Sequence, residues 1–316
     1  MGKCLVTKLN GAVTNDKLLR LGECVIGVES SSADELLFQV KLDDTEYYCE
    51  QDHKSGEENV SGGTKKVLSN WTDLKSISKG LYKFHFLNKY KLFAILEKSK
   101  LGAYEINGLN FLNSITQFSL GAKASFDIDN LKQSKSLNLL MLSGNVTGDI
   151  SSLKTLTALA NLSINSNNVT GDISSLKTLT ALANFSGSMK IKCNADDLKV
   201  FPNLGSFNFA NTIIEGGNFG DIATLPENFT YLFIGNASIS WTSRPSTSKI
   251  ISIFGSPKLS NIDKMLQDQA QCVTGITSST PEYMKSITAT GTRTSASDAA
   301  VQTLQSKGYT VSITPA

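Results

Sequence analysis

The sequence predicts an α+β chain in three parts: a β-rich module over residues 1–105, a solenoid of stacked repeats over 106–270, and a strand–helix–strand cap over 271–316. A 17-residue segment, NVTGDISSLKTLTALAN, occurs unchanged at Asn145–Asn161 and at Asn168–Asn184, 23 residues apart. Tandem copies at such a period are units that cannot bury an apolar face alone and so stack on their neighbours. Charge is also divided unevenly. Residues 1–105 hold 15 basic and 15 acidic side chains, whereas 137–189 hold only Asp149, Lys154, Asp172 and Lys177. That break sets the first boundary near residue 105.

In the first part, the apolar runs Cys4–Leu9 and Cys24–Val28 flank a turn-rich middle and read as strands. Leu36–Val40 and Tyr47–Cys49 read as further strands, and Asp52–Lys66, polar and Gly-rich, as an exposed loop. Leu81–Leu96 opens with Tyr82, Phe84 and Phe86 alternating against Lys83, His85 and Leu87, the pattern of a half-buried strand.

Within one repeat, Leu162 and Ile164 alternate with period two, as a short strand must to point every second side chain into a core. Leu176, Leu179 and Leu182 then recur every third residue, the spacing of a 3₁₀-like return. Asn167 falls where an amide can satisfy backbone groups as the chain leaves the strand. From Leu159 to Ile173 the chain resembles the leucine-rich repeat, LxxLxLxxNxLxGxI, with Ile164 and Val169 at two leucine positions. The resemblance implies a leucine-rich-repeat-like solenoid. Upstream, Leu139, Met141, Val146, Gly148 and Ile150 keep the register, with Gly144 where the pattern asks for Asn. Ile115, Phe118, Leu120, Ile128 and Leu131 read as an earlier, shorter unit. Downstream, Leu204, Phe207, Phe209 and Ile214 fit, then Leu232 and Ile234 with Ile239, and Ile251 with Ile253. The total is about seven units.

In the last part, Ser286–Ala289 reads as a strand, Ser295–Ser306 as a helix capped by Ser295 or Ser297, and Tyr309–Ile313 as a final strand after the stop at Gly308. SDAAVQTLQSKGYTVSI resembles the closing unit of many Bacteroidetes repeat proteins, and covering the last apolar face is the role that implies. Contact with another subunit is the alternative.

Net charge is +2, so no general attraction to nucleic acid is expected. No apolar run is long enough for a transmembrane helix, and MGKCLVTKLNGAVTNDKLL does not read as a secretory signal. Cys4, Cys24, Cys49, Cys193 and Cys272 are odd in number and scattered, which points to buried free thiols. With His53 and His85 the only histidines, and with no HExxH, CxxC, G-x-S-x-G or P-loop, neither a metal nor a cofactor is expected. Asp149, Asp172 and Asp221 recur at one repeat position. They read as caps of the return segment, with a carboxylate row for a depolymerase as the rival.

The strand face is where binding is expected. Its outward rows are predicted to be Gln117, Asn138, Asn161, Asn184, Ser206 and Tyr231, then Ser119, Leu140, Ser163, Ser186, Asn208 and Phe233. Amides and hydroxyls can hydrogen-bond sugars, and Tyr231, Phe233 or Trp241 could stack on a sugar ring. Close packing against another subunit and an inert solvated sheet are the competing readings. The binding candidates are thus Asn138, Asn161, Asn184, Asn208, Tyr231 and Phe233.

The opening Met-Gly-Lys-Cys-Leu-Val-Thr-Lys-Leu-Asn-Gly, with Asn15 and Leu21-Gly22-Glu23, resembles the start of virion surface proteins, of head-fibre or tail-fibre type, from tailed (crAss-like) phages of gut Bacteroidetes. The resemblance covers about 25 residues plus the general style of the repeats. It implies a non-enzymatic virion structural protein, made in the host cytoplasm. Residues 1–105 would attach to a capsid or tail protein or form a homo-oligomer, with the repeats displayed outward for a glycan or host receptor. A bacterial cell-associated adhesin of the same repeat type is the alternative, and it needs an export signal.

Overall fold

The structure is a computed structural model. It describes residues 24–30, 36–52, 66–75, 80–86, 92–97, 104–107, 114–122, 124–193, 195–198, 200–209, 213–214, 218–221, 230–234, 238–242, 250–272 and 275–316. The chain divides into two compact units, Met1–Val146 and Thr147–Ala316. The composition break near residue 105 falls inside the first.

The first unit begins antiparallel. Leu36–Asp52 pairs with Lys66–Lys75, Gly80–Phe86 and Leu92–Glu97, and Cys24–Ser30 pairs with Gly80–Phe86 and Tyr104–Asn107. The two strands expected at 36–40 and 47–49 are one, with a register shift between Leu42 and Thr45. Of the strand expected over 81–96, Gly80–Phe86 and Leu92–Glu97 are strand, and residues 87–91 lie outside the described residues. The run Cys4–Leu9 and residues 53–65 lie outside the described residues. Leu92–Glu97 is where the pairing changes sense. It is antiparallel to Leu36–Asp52 but parallel to Gln117–Leu120, which is in turn parallel to Leu139–Ser143.

That last pairing corrects the predicted register. Gln117 lies opposite Leu139 and Phe118 opposite Leu140, so Leu140 and Leu142 are buried while Met141 is 46% exposed. Leu140, expected outward, is core, and Asn138 precedes the strand instead of standing on its outer row. The cause is one residue. The identical segments lie 23 apart, but Leu140 and Leu162 lie only 22 apart, the difference falling in the corner after the strand. A slip of one residue turns every side chain of a strand to the opposite face. At that corner Gly144 takes φ +102°, and a Cβ there would meet the Ala122 carbonyl oxygen at 2.6 Å.

In the second unit the described strands pair in parallel. Asn161–Asp172 pairs with Asn184–Lys192, then follow Ser206–Phe209, Tyr231–Ile234, Ser252–Phe254, Ser286–Thr290 and Thr310–Thr314. Between strands the period-three leucines form the return. Leu156 N donates to Leu153 O and Leu159 N to Leu156 O, both at 2.9 Å. The second copy repeats this, with Leu179 N to Leu176 O at 2.8 Å and Leu182 N to Leu179 O at 3.0 Å. Three-residue steps keep one face inward, so Leu153, Leu156, Leu159, Leu176, Leu179 and Leu182 are all buried. Leu198, Phe201 and Leu204 continue the series. In the first unit, Leu131, Ser134 and Leu137 make the same steps, and Ser134 stands where the copies place leucine. Its hydroxyl is buried and has no hydrogen-bond partner among the described residues. Successive returns are tied by side chains, Thr178 Oγ1 donating to the Lys154 carbonyl and Asn203 Nδ2 to that of Thr180.

The carboxy-terminal elements follow expectation closely. The strand Ser286–Thr290, a 3₁₀ turn at Ser295–Ser297, the helix Asp298–Ser306 and the strand Thr310–Thr314 come in order, with Gly308 at φ +93° ending the helix. Thr294 caps the 3₁₀ turn by accepting from Ala296 N, and Ser297 takes the N-cap position of the helix without a side-chain capping bond. Before them, the helix Ile262–Ala270 replaces the short return. No helix among the described residues is long and apolar enough to cross a membrane.

Candidate binding face

The recurring aspartates hold the turns. Asp149 Oδ1 accepts from Ser151 N at 2.8 Å and Asp172 Oδ1 from Ser174 N at 2.9 Å, each capping the 3₁₀ turn it precedes. Asp127 does the same for Asp129 N at 2.9 Å. The side chain of Asp221 lies outside the described residues, as does that of His85. Cys193 and Cys272 are buried thiols that form no disulfide among the described residues. Burial, then the nearby charges of Asp197 and Asp172, push the Cys193 thiol well above its ordinary range. Among the described residues, no three of His, Cys, Asp and Glu gather where a metal ion could sit.

The open face is built by register. Asn161, Asn184 and Ser206 are successive partners, Ser163, Ser186 and Asn208 follow two residues on, and Asn165 lies opposite Ser188. Period-two alternation points all of these away from the core filled by Leu162, Ile164, Phe185 and Phe207. The first row is a hydrogen-bonded ladder: Asn184 Nδ2 donates to Asn161 Oδ1 at 2.8 Å, and Ser206 Oγ to Asn184 Oδ1 at 3.0 Å. At the corner, Asn167 is exposed and accepts from Ser188 Oγ at 3.1 Å, so its amide orders a neighbouring side chain. The buried residue of that corner is Ser166, whose Oγ accepts from Asn168 N at 3.4 Å.

Of the six predicted binding residues, the structure brings together Asn161, Asn184 and Asn208 on this face. Asn138 belongs to the first unit and is off the strand row, for the reason of register given above. Tyr231 keeps its place opposite Ser206 but is only 3% exposed. Its next partner, Ser252, is 2% exposed and donates to the Met284 carbonyl, in the turn Glu282–Met284. The row is closed there. Phe233 lies opposite Asn208, and its side chain is outside the described residues. Trp241, expected as a stacking surface, is fully buried and donates from Nε1 to Asp268 Oδ2 at 2.8 Å.

Asn165 and Ser188 were not among the predicted binding residues. The signal was present, since the alternation Asn161, Ser163, Asn165 runs one step beyond the leucine pattern. The correct register upstream was legible too. Leu137 precedes Leu140 as Leu159 precedes Leu162, so counting from the leucine series finds the strand where counting by 23 does not.

No family model matches this chain, and no curated protein does. Among solved structures it is similar to an internalin (inlF) from Listeria monocytogenes, at 16% identity and a TM-score of 0.36, over 71% of this chain and 82% of that one. It is also similar to the leucine-rich-repeat ectodomain of the receptor kinase GASSHO1/SCHENGEN3 from Arabidopsis thaliana, at 18% identity and a TM-score of 0.46. That likeness covers 70% of this chain and 32% of the receptor chain.

Proposed function

We infer that this chain is a non-enzymatic display protein of a phage particle, attached through residues 1–105 and presenting its repeats for adhesion. The observation that carries the display role is the open, uncharged strand face, ordered by the Asn161–Asn184–Ser206 ladder. A binding surface gains from side chains already held in place, because less freedom is lost on contact. The recurring Asp149 and Asp172 are committed to backbone amides, which favours a structural role for them over a catalytic one. The particle assignment draws on the opening residues Met1–Gly11, whose resemblance is to virion surface proteins. A capsid or tail protein is the partner this implies, with a homo-oligomer as the attached form.

Mass spectrometry of purified particles tests the assignment. The chain is expected in fixed proportion to the capsid protein, and its absence from particles, with recovery in an outer-membrane fraction, would move the reading to a cell-associated adhesin.

A further inference from the structure

Eight outward positions on three adjacent strands of the second unit, Asn161, Ser163, Asn165, Asn184, Ser186, Ser188, Ser206 and Asn208, are all asparagine or serine, before the rows continue into Tyr231 and Phe233. We propose that this lattice docks an uncharged polysaccharide chain lying across the strands. The proposal rests on the display role above and names the ligand class.

The chemistry of the lattice selects the occupant. Protein partners are held mainly by buried aromatic and arginine anchors, and none of the eight positions is either. Nucleic acids and acidic glycans need cations, and none of the eight carries charge. What remains is a surface of amides and hydroxyls, each both donor and acceptor, which matches a ligand whose hydroxyls are the same.

The ladder decides which donors face outward. Asn184 gives one N–H to Asn161, leaving its second N–H and both of those on Asn161 for a ligand. Ser163, Ser186 and Asn208 are half-buried and make no side-chain hydrogen bond among the described residues. Rungs repeat at about 4.8 Å along the stack, a step comparable with the length of one pyranose residue. Successive sugars thus meet equivalent groups.

Affinity electrophoresis of the full chain tests this, in gels containing dextran, yeast mannan, xylan or mixed-linkage β-glucan, with alginate as the acidic comparison. Retardation by at least one neutral polymer and not by alginate is expected. Asn184→Leu, which removes a ladder donor and its open N–H, is expected to weaken that retardation about tenfold, the scale of one or two hydrogen bonds. Ser186→Leu is expected to weaken it as well, and Thr157→Leu, on the exposed return side, to leave it unchanged. Circular dichroism of each variant separates loss of binding from loss of fold. No retardation by any neutral polymer, stronger retardation by alginate, or a folded Asn184→Leu chain that binds like the original would overturn the proposal. Absence of the chain from particles would sink the particle assignment alone and leave this one standing.

Discussion

Asn184 and Tyr231 stand two rungs apart on one row of the second unit, yet one is exposed and the other buried. Register places both on the outer side of the sheet. At Asn161, Asn184 and Ser206 the side chains bond to each other. At Ser252, chain that leads into the strand Ser286–Thr290 lies across it, and the hydroxyl is spent on the Met284 carbonyl. Register thus decides which side a residue takes, while burial depends on what later chain crosses it. The two regions also differ in what holds them. The open region relies on repeated leucines and backbone ladders. The closed region adds specific buried polar contacts: Trp241 with Asp268, and Gln269, whose amide bonds both Ile251 N at 3.0 Å and Ile251 O at 2.8 Å.

Breaking the closed region has the largest expected effect. Trp241→Ala removes a fully buried ring and takes from Asp268 its indole donor, and it should destabilise the chain by about 3–5 kcal/mol in urea unfolding. Gln269→Leu leaves two buried backbone groups of Ile251 without their side-chain partner, at an expected cost of about 2–3 kcal/mol by the same measurement. In the open region, Gly171→Ala is the sharpest test of the repeat corner. Gly171 has φ +131°, and a Cβ would stand 2.7 Å from Ile150 Cγ1, so a loss of about 1–3 kcal/mol is expected. Asn184→Ala should fall within about 0.5 kcal/mol of the original, because its ladder bonds are exposed. If thermal melts show Asn184→Ala to be as damaging as Gln269→Leu, the contrast between the regions is wrong.

The smallest expected effect is a pH dependence in the cap. Asp263 accepts from Ser297 Oγ and from the amide and hydroxyl of Thr294. The Ser297 bond foremost, then those from Thr294, hold its carboxyl below the ordinary value of 3.8. A depressed folded-state pKa means the stabilisation is full above that ordinary value and is lost as pH falls below it, through the folded pKa. The difference in melting temperature between the original chain and Asp263→Asn should therefore shrink on acidification below pH about 4. A difference that stays constant down to pH about 2 would remove this role for Asp263.

Much of the fold was legible because the signals are local. The period-three leucines form their own hydrogen-bonded return, and the aspartates before Ile150 and Ile173 cap the turn two residues on. The identical copies fold alike for that reason. The outward placement of Asn161, Asn184 and Asn208 was legible through period-two alternation beside those copies. Asn138 was misplaced because a single-residue change in spacing reverses a strand, and a repeat that has diverged gives no warning of it.

What the sequence determined by itself is the repeat: which residues turn, which fill the core, and that the units stack in parallel. Those properties follow from contacts within a few residues and between equivalent positions of adjacent copies. Only the tertiary structure decided where the outer face stays open. Burial of Ser252 and Trp241 comes with packing between segments well separated in the chain, Met284 against Ser252 and Asp268 beside Trp241. No periodicity encodes those encounters, because each occurs once.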